Sequence, residues 1–112
     1  MPAPQAFREG FKIEKGMKIA GYVLAELHIG HNQLVQYREY SYPISMVFTK
    51  SSGAGSVAEF EKALEEHVSG SRVIDSYYGN PYRCTFGTLK FKEEENSVGV
   101  TSLGHGTRIP KN

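Results

Sequence analysis

Apolar and polar residues alternate along residues 40–48, and this alternation predicts a β-strand with one buried face. The apolar positions fall on every second residue: Tyr40, Tyr42, Ile44, Met46 and Phe48. Because successive side chains of a strand point to opposite sides, these five should line the core. Pro43 has no amide hydrogen for a sheet ladder, so we expect this part of the strand at a sheet edge or at a bulge.

A helix is predicted directly after this strand, over about residues 56–69. Ser56 is followed three residues later by Glu59, which is the spacing of a capping box, and Gly70 is a typical helix terminator. Four apolar residues recur at helical spacing on one face: Val57, Phe60, Leu64 and Val68. A single amphipathic helix must bury such a face, so we expect Phe60 and Leu64 to pack on the buried face of the strand.

The remaining apolar patterns predict further strands joined by glycine-rich or charged turns. Five strands are expected, with a short sixth near the C-terminus: residues 11–20, 22–29, 34–49, 72–78, 82–91 and 98–103. Helices and strands do not alternate along the chain as they do in parallel sheets. The predicted fold class is α+β, a strongly bent antiparallel sheet of five or six strands with one amphipathic helix between the third and fourth strands. An OB-like, partly open barrel has this element order, and an open sheet with a helix on its face is the alternative.

The length of 112 residues is that of one domain. Residues 1–9 contain two prolines and little apolar pattern, and we expect a loose N-terminal arm. Residues 10–103 carry the predicted strands and the helix and form the single α+β domain. Residues 104–112 contain glycines and a proline without a pattern, which predicts a flexible C-terminal tail.

Composition and charge narrow the function classes only in part. The formal net charge is +1, so a strongly basic nucleic-acid binder is disfavoured, although a local basic patch is compatible with this charge. The single cysteine excludes an internal disulfide and fits a reducing compartment. No apolar run reaches about 18 residues, and the N-terminus lacks the apolar core of a signal peptide. We therefore expect an intracellular protein, cytoplasmic or nuclear, that does not cross a membrane.

Residues that could carry catalysis or bind a metal are scattered along the chain. The loop of residues 50–56 combines a lysine with the N-terminus of the predicted helix, where backbone N–H groups can hold an anion. The loop lacks the residue order of a phosphate-binding loop, so a connector ending in an N-cap is the preferred interpretation. His28 and His31 fall on opposite faces of their hairpin, and Cys84 lies on an apolar strand face. These observations predict neither a metal site nor a cofactor, and they favour a binding module over an enzyme.

Tyrosines and arginines form the most populated group of candidate binding residues. They lie near the ends of predicted strands, with a lysine nearby: Tyr37, Arg38, Tyr77, Tyr78, Tyr82, Arg83 and Lys90. Bases stack on aromatic rings and arginine contacts phosphates, so this group predicts binding of single-stranded DNA or RNA. Such a site requires two segments some 40 residues apart to meet in the fold. The tyrosine-rich surface and an exposed strand edge also suit a protein partner or self-association, which is the alternative hypothesis.

Overall fold

Within residues 2–75 and 80–110, which the computed structural model describes, eight antiparallel strands form one curled sheet that carries two helices. In chain order the elements are α1 (Pro2–Phe11), β1 (Lys18–Ile19), β2 (Tyr22–Ile29), β3 (Gln33–Gln36), β4 (Glu39–Lys50), α2 (Val57–His67), β5 (Ser71–Asp75), β6 (Pro81–Phe86), β7 (Lys90–Glu93) and β8 (Ser97–Arg108). The predicted α+β class with a bent antiparallel sheet is confirmed, and the amphipathic helix α2 follows the long strand β4 as expected.

The central strands are β4 and β8, which pair antiparallel from Glu39–Thr107 to Thr49–Ser97. The strand order is β1-β2-β4-β8-β6-β5. Along the edge of β4 that faces away from β8, β2 pairs with one part of β4 and β3 pairs with the next. Along the edge of β8 that faces away from β4, β7 pairs with one part of β8 and β6 pairs with the next. Each central strand therefore holds two shorter strands end to end.

Two of the strands expected from the sequence are each divided in two, which raises the count within the described residues from six to eight. The strand expected over residues 34–49 is broken by a turn at residues 37–38, and its two halves are β3 and β4. The strand expected over residues 82–91 is interrupted at residues 87–89, between β6 and β7. Apolar alternation resumes after each break with the opposite parity, and such a shift indicates a bulge within one strand as readily as a break between two.

Pro43 lies within a central strand, whereas its missing amide suggested a sheet edge or a bulge. On one side of β4 it pairs with Leu103 of β8. On the other side β2 ends at Ile29 and β3 begins at Gln33, and between them the Gly30 amide donates to the Pro43 carbonyl at 2.8 Å. The proline thus occupies the break between β2 and β3, where the ladder requires no donor from β4.

Both helices pack on the same face of the sheet, and this face holds the core. The β4 residues on it alternate as predicted and are almost fully buried: Tyr42, Ile44, Met46 and Phe48. Phe60 of α2 lies against Phe48 and Tyr22, with ring centroids 4.8 and 4.6 Å away. Ser56 caps α2, since its Oγ accepts a hydrogen bond from the Glu59 amide at 3.1 Å. The predicted packing of the α2 apolar face on the β4 strand is confirmed.

The N-terminal segment forms helix α1, where the sequence pattern suggested a loose arm over residues 1–9. Phe7 and Phe11 are four positions apart, so they share one helix face, and both are buried. The Phe11 ring lies 4.8 Å from that of Phe86, and the guanidinium of Arg72 lies 4.6 Å from the Phe11 centroid. The segment has too few apolar residues to show a period in the sequence, and tertiary packing of the two phenylalanines stabilises the helix.

The last strand, β8, continues to Arg108, where residues 104–112 were expected to form a flexible tail. A Cβ on Gly104 would come within 2.8 Å of the Phe7 ring, and a Cβ on Gly106 would clash with the Tyr82 ring. The two glycines are therefore core-facing positions of the strand, where aromatic side chains fill the space that a side chain would need. Their small size hides the strand alternation from a reading based on apolar residues.

Leu64→Ala is expected to lower the free energy of unfolding by about 2–5 kcal/mol, because a large buried side chain is replaced by a cavity. Leu64 is 1 % exposed on the inner face of α2. Urea denaturation measures the effect. Lys62→Ala, at an exposed position of the same helix, is the matched control and should change the free energy by less than about 0.5 kcal/mol. Equal stability of the two variants would contradict the assignment of the helix face.

Candidate functional site

The two segments expected to carry the site meet at one end of the sheet, on either side of β8. The Arg108 amide donates to the Arg38 carbonyl at 3.0 Å, and the Ile109 amide donates to the Pro81 carbonyl at 3.1 Å. The β3–β4 turn and the start of β6 therefore flank the end of β8. We call the residues around the cleft at this place the arginine end: Leu34, Tyr37, Arg38, Tyr40, Asn80, Arg108, Ile109 and Pro110.

The β3–β4 turn presents Tyr37 and Arg38 to one another at the edge of this cleft. Gln36 and Glu39 pair across the turn, so two residues form the loop, and Arg38 has a φ of 66°. A left-handed residue at the second loop position is a feature of type II turns. Tyr37 is 79 % exposed, and the Arg38 guanidinium lies 4.8 Å from its ring centroid, which is a cation–π contact. The turn thus holds an exposed aromatic ring and a half-buried guanidinium at a defined spacing.

The described residues that line the cleft include two arginines and no carboxylate. Tyr40 pairs with Gly106, two positions before Arg108, so Tyr40 and Arg108 lie on the same face of the sheet. Glu39 adjoins Arg38 in sequence, but strand alternation directs its side chain to the face opposite Tyr40, and Gln36 Nε2 donates to its Oε2 at 2.6 Å. The lining is therefore cationic and aromatic.

Tyr82 lies in the core, although the sequence suggested a surface role. It is 7 % exposed, and its hydroxyl is hydrogen-bonded to that of Tyr42 at 2.7 Å. Burial raises the pKa of both hydroxyls above the ordinary tyrosine value, and the hydrogen bond raises the pKa of Tyr42 further. Tyr82, Cys84 and Phe86 fall on every second residue and share one strand face, and Cys84 and Phe86 are buried. This spacing was the signal in the sequence that Tyr82 is also buried. A ring held in the core does not contact a base, so Tyr82 can contribute to the site only through its packing in the core.

Arg83 and Lys90 lie on the sheet face opposite the helices, which we call the open face. Arg83 follows Tyr82 in β6 and therefore points to the other side, where its Nη1 donates to Ser71 Oγ at 3.1 Å. Lys90 pairs with the exposed Thr101, nearer the other end of β8. The structure does not bring these two cations to the arginine end.

Tyr77 and Tyr78 fall within residues 76–79 and so lie outside the described residues. Asp75 and Pro81 bound this stretch, and they pair with each other at the ends of β5 and β6. The Pro81 carbonyl also accepts the Ile109 amide, which places these two strand ends beside the arginine end.

Among the polar and aromatic residues of the cleft, sequence reasoning missed Arg108, Asn80 and Tyr40, and it had placed Tyr40 in the core. Arg108 was assigned to a flexible tail, because the core-facing positions before it are glycines. The period-two order Gly104, His105, Gly106 was the only trace of a strand there, and glycine carries little apolar signal. Asn80 lies in a stretch that reads as turn chemistry alone.

The loop of residues 50–56 is docked onto the turn between β1 and β2. Ser51 Oγ donates to the Gly21 carbonyl at 2.6 Å, and the Gly55 amide donates to the Ala20 carbonyl at 3.1 Å. These bonds occupy the Ser51 hydroxyl and the Gly55 amide, so neither group is available to an anion before α2. They support the interpretation of the loop as a connector that ends in an N-cap.

The other residues considered for chemistry are placed apart from one another. Burial raises the pKa of the Cys84 thiol to about 11, so the thiol is protonated at neutral pH. His28 lies on the open face with its Nε2 3.6 Å from Glu26 Oε1. Across the described residues, no three side chains of the types that ligate metals come together. Neither of the described helices has the length and apolar character needed to cross a membrane.

Thermal stability is expected to fall as the pH rises above about 10, the ordinary tyrosine pKa. The folded state holds the protons of Tyr42 and Tyr82 more tightly than the unfolded chain. The resulting stabilisation is fully present below that ordinary pKa and is lost as the pH rises toward the raised values. Melting temperatures measured from neutral to strongly alkaline pH should therefore decline less steeply in the double variant Tyr42→Phe/Tyr82→Phe. Tyr37→Phe, at an exposed position, is the control and should keep the parent slope, and parallel curves for the parent and the double variant would contradict the expectation.

Comparison with protein-family models, with curated proteins and with solved structures finds no match to this chain. The function has to be inferred from the groups that the fold brings together. Among the described residues that line it, the arginine end combines aromatic side chains with two arginines and no carboxylate in one cleft.

Proposed function

We propose that the arginine end binds single-stranded nucleic acid, DNA or RNA. The observation that carries this proposal is the cleft between Arg38, Arg108, Tyr37 and Tyr40, whose described lining has no carboxylate. Guanidinium groups form strong, charge-assisted hydrogen bonds with phosphate. Aromatic rings beside them offer stacking surfaces that accept any base. The cleft thus supplies both kinds of contact that a single strand requires.

The dimensions of the cleft favour a single strand over a duplex. Its volume of about 400 Å³ lies within the range of small-ligand pockets, about 300–1,000 Å³. Tyr37 projects into solvent at its edge, where a base can stack on the ring face away from Arg38. Stacking needs an unpaired base, and both described helices pack on the sheet, so neither is available to enter a major groove.

The charge of the whole chain limits the strength of this binding. The formal net charge is +1, and the two predicted cations Arg83 and Lys90 lie away from the cleft. Only a few phosphates can therefore be neutralised at once, which gives moderate affinity that salt weakens.

Tyr37→Ala is expected to weaken binding of short labelled DNA and RNA oligomers by about 1–3 kcal/mol, because a stacking surface is removed. Fluorescence anisotropy at two salt concentrations measures the affinities. Tyr37→Phe keeps the ring and should bind like the parent. Arg108→Ala should weaken binding and lower the slope of log affinity against log salt by about 1.

Lys62→Ala removes an exposed cation on α2, outside the arginine end, and is the control for the loss of charge alone. Its affinity should equal that of the parent. No binding by the parent at low salt with protein in the high-micromolar range would end the nucleic-acid proposal. If Arg108→Ala binds the oligomers as tightly as Lys62→Ala does, then binding does not take place at this cleft.

Self-association is the second candidate function, and exposed apolar side chains on the β3 hairpin favour it. Leu34, Val35 and Tyr37 are 66 %, 62 % and 79 % exposed. Within the described residues β3 pairs only with β4, so its outer edge is open to another strand. Large apolar side chains clustered beside an open edge are typical of protein interfaces.

Val35→Lys is expected to convert an assembled form into monomer, because the charge would be buried in an interface at the β3 edge. Sedimentation velocity across the micromolar range measures the distribution. Leu103→Lys, at an exposed position on the open face, is the matched control and should leave the distribution unchanged. A parent chain that is monomeric over the whole range would remove this second function.

A further inference from the structure

A second and larger cleft lies between α1 and the end of β2, away from the arginine end. Its volume is about 910 Å³, at the upper end of the range for ligand pockets, about 300–1,000 Å³. We call it the α1–β2 groove. Its apolar floor consists of Ile13, Leu27 and Ile29. Leu27 and Ile29 are half-buried and pack at the margin of the core, so the floor continues the core face of the sheet.

One wall of the groove is an unpaired stretch of strand. β1 pairs with Tyr22 and Val23 only, and within the described residues no other strand pairs with the outer edge of β2. The last bonds on that edge are at Leu24, whose amide donates to Met17 at 2.9 Å and whose carbonyl accepts from Gly16 at 2.8 Å. The edge beyond Leu24 is therefore open to a further strand.

The hydrogen-bonding direction of this open edge follows from the register. Beyond the bulge between Leu24 and Glu26, the Gly30 amide points inward to Pro43. Backbone groups of an antiparallel strand alternate between its two neighbours. The amides and carbonyls of Leu27 and Ile29 therefore point outward, along the groove, while their side chains form its floor. An added strand can bond to both residues and cover both side chains.

The rim of the groove carries a small excess of positive charge. Arg8, Lys12 and Lys15 lie on it together with Glu9 and Glu14. Lys12 has a φ of 55°, a left-handed conformation that glycine adopts at lower cost, at the residue directly after α1. Glycine would end the helix at this position with less backbone strain. The lysine that occupies it instead brings a cation to the rim of the groove.

We propose that the α1–β2 groove binds an extended peptide segment by strand addition. The segment pairs its backbone with Leu27 and Ile29, sets alternate apolar side chains on the floor, and brings a carboxylate to the lysines of the rim. The partner is therefore a protein with an exposed strand-forming stretch that carries an acidic residue. A second copy of this chain fits less well, since edge-to-edge pairing of two β2 strands would bring together two rims that each carry a net positive charge.

The test uses the full chain labelled with ¹⁵N and a synthetic peptide of alternating valine and threonine that ends in aspartate. Titration should shift the amide resonances of Leu27 and Ile29 and slow their hydrogen exchange. A second peptide, N-methylated at the residues that face β2, should fail to produce these changes, because it has no amide hydrogens for the ladder. A third peptide that ends in lysine should bind at least several-fold more weakly. Equal binding of the N-methylated peptide, or shifts confined to other parts of the chain, would overturn the proposal.

Lys12→Gly separates the role of the cation from the stability of the fold. Glycine relieves the left-handed strain, so the variant should melt at a higher temperature than the parent and yet bind the aspartate peptide several-fold more weakly. Lys18→Ala, at an exposed position on β1 outside the groove, is the control and should bind like the parent. Unchanged affinity of Lys12→Gly would contradict the role of the rim. Protection of Leu27 and Ile29 in a dimer without peptide would overturn the proposal in favour of a second copy.

Discussion

The antiparallel pairing of β4 with β8 is the interaction on which the rest of the fold depends. It runs over eleven residue pairs, and the other strands attach to one of these two strands, directly or through a neighbour. Helix α1 packs on strands from both sides of this ladder, since Phe7 contacts Tyr42 of β4 and Phe86 of β6, which pairs with β8. Without the central ladder the chain would form two narrow sheets, and neither would have a face wide enough to bury a helix.

The central ladder also determines which tyrosines are buried in the core and which are exposed on the surface. Tyr22, Tyr42 and Tyr82 occupy core-facing positions of strands and fill space beside glycines or under helices. Tyr37 lies in the turn between β3 and β4, outside the strands, and its ring is exposed to solvent. A tyrosine at a core position serves packing, because the buried ring contributes more than its hydroxyl costs once that hydroxyl is paired. The surface chemistry of the molecule is therefore concentrated where strands end.

Much of the fold follows from local patterns, and the remainder depends on contacts that those patterns do not contain. The alternation from Tyr42 to Phe48 and the helical spacing of Phe60 and Leu64 identified the core face and the helix that covers it. Helix α1 was missed because Phe7 and Phe11 form its face only when Phe86 and Tyr42 are present to receive them. The end of β8 was missed because glycine is the residue that fits under an aromatic ring and also the residue typical of loops.

The candidate site was predicted in part, for a similar reason. The pairing of Tyr37 with Arg38 at a strand end was visible in the sequence, and the fold does bring that turn beside the start of β6. Side-chain direction decided the rest. Arg83 and Lys90 point to the open face and Tyr82 points to the core, and each of these directions depends on a strand register that the sequence leaves open.

The register of the central ladder also determines when the chain can fold. Thr49 pairs with Ser97 and Glu39 pairs with Thr107, so the partners lie 48 to 68 positions apart. Closing loops of this length precedes most of the stabilising contacts, which slows folding relative to a protein of local contacts. On the ribosome, β4 is complete long before β8 emerges, so the β4 edge that pairs with β8 remains open in the interval. An open strand edge is a template for pairing with another chain, so the chain is more prone to aggregation until β8 is synthesised.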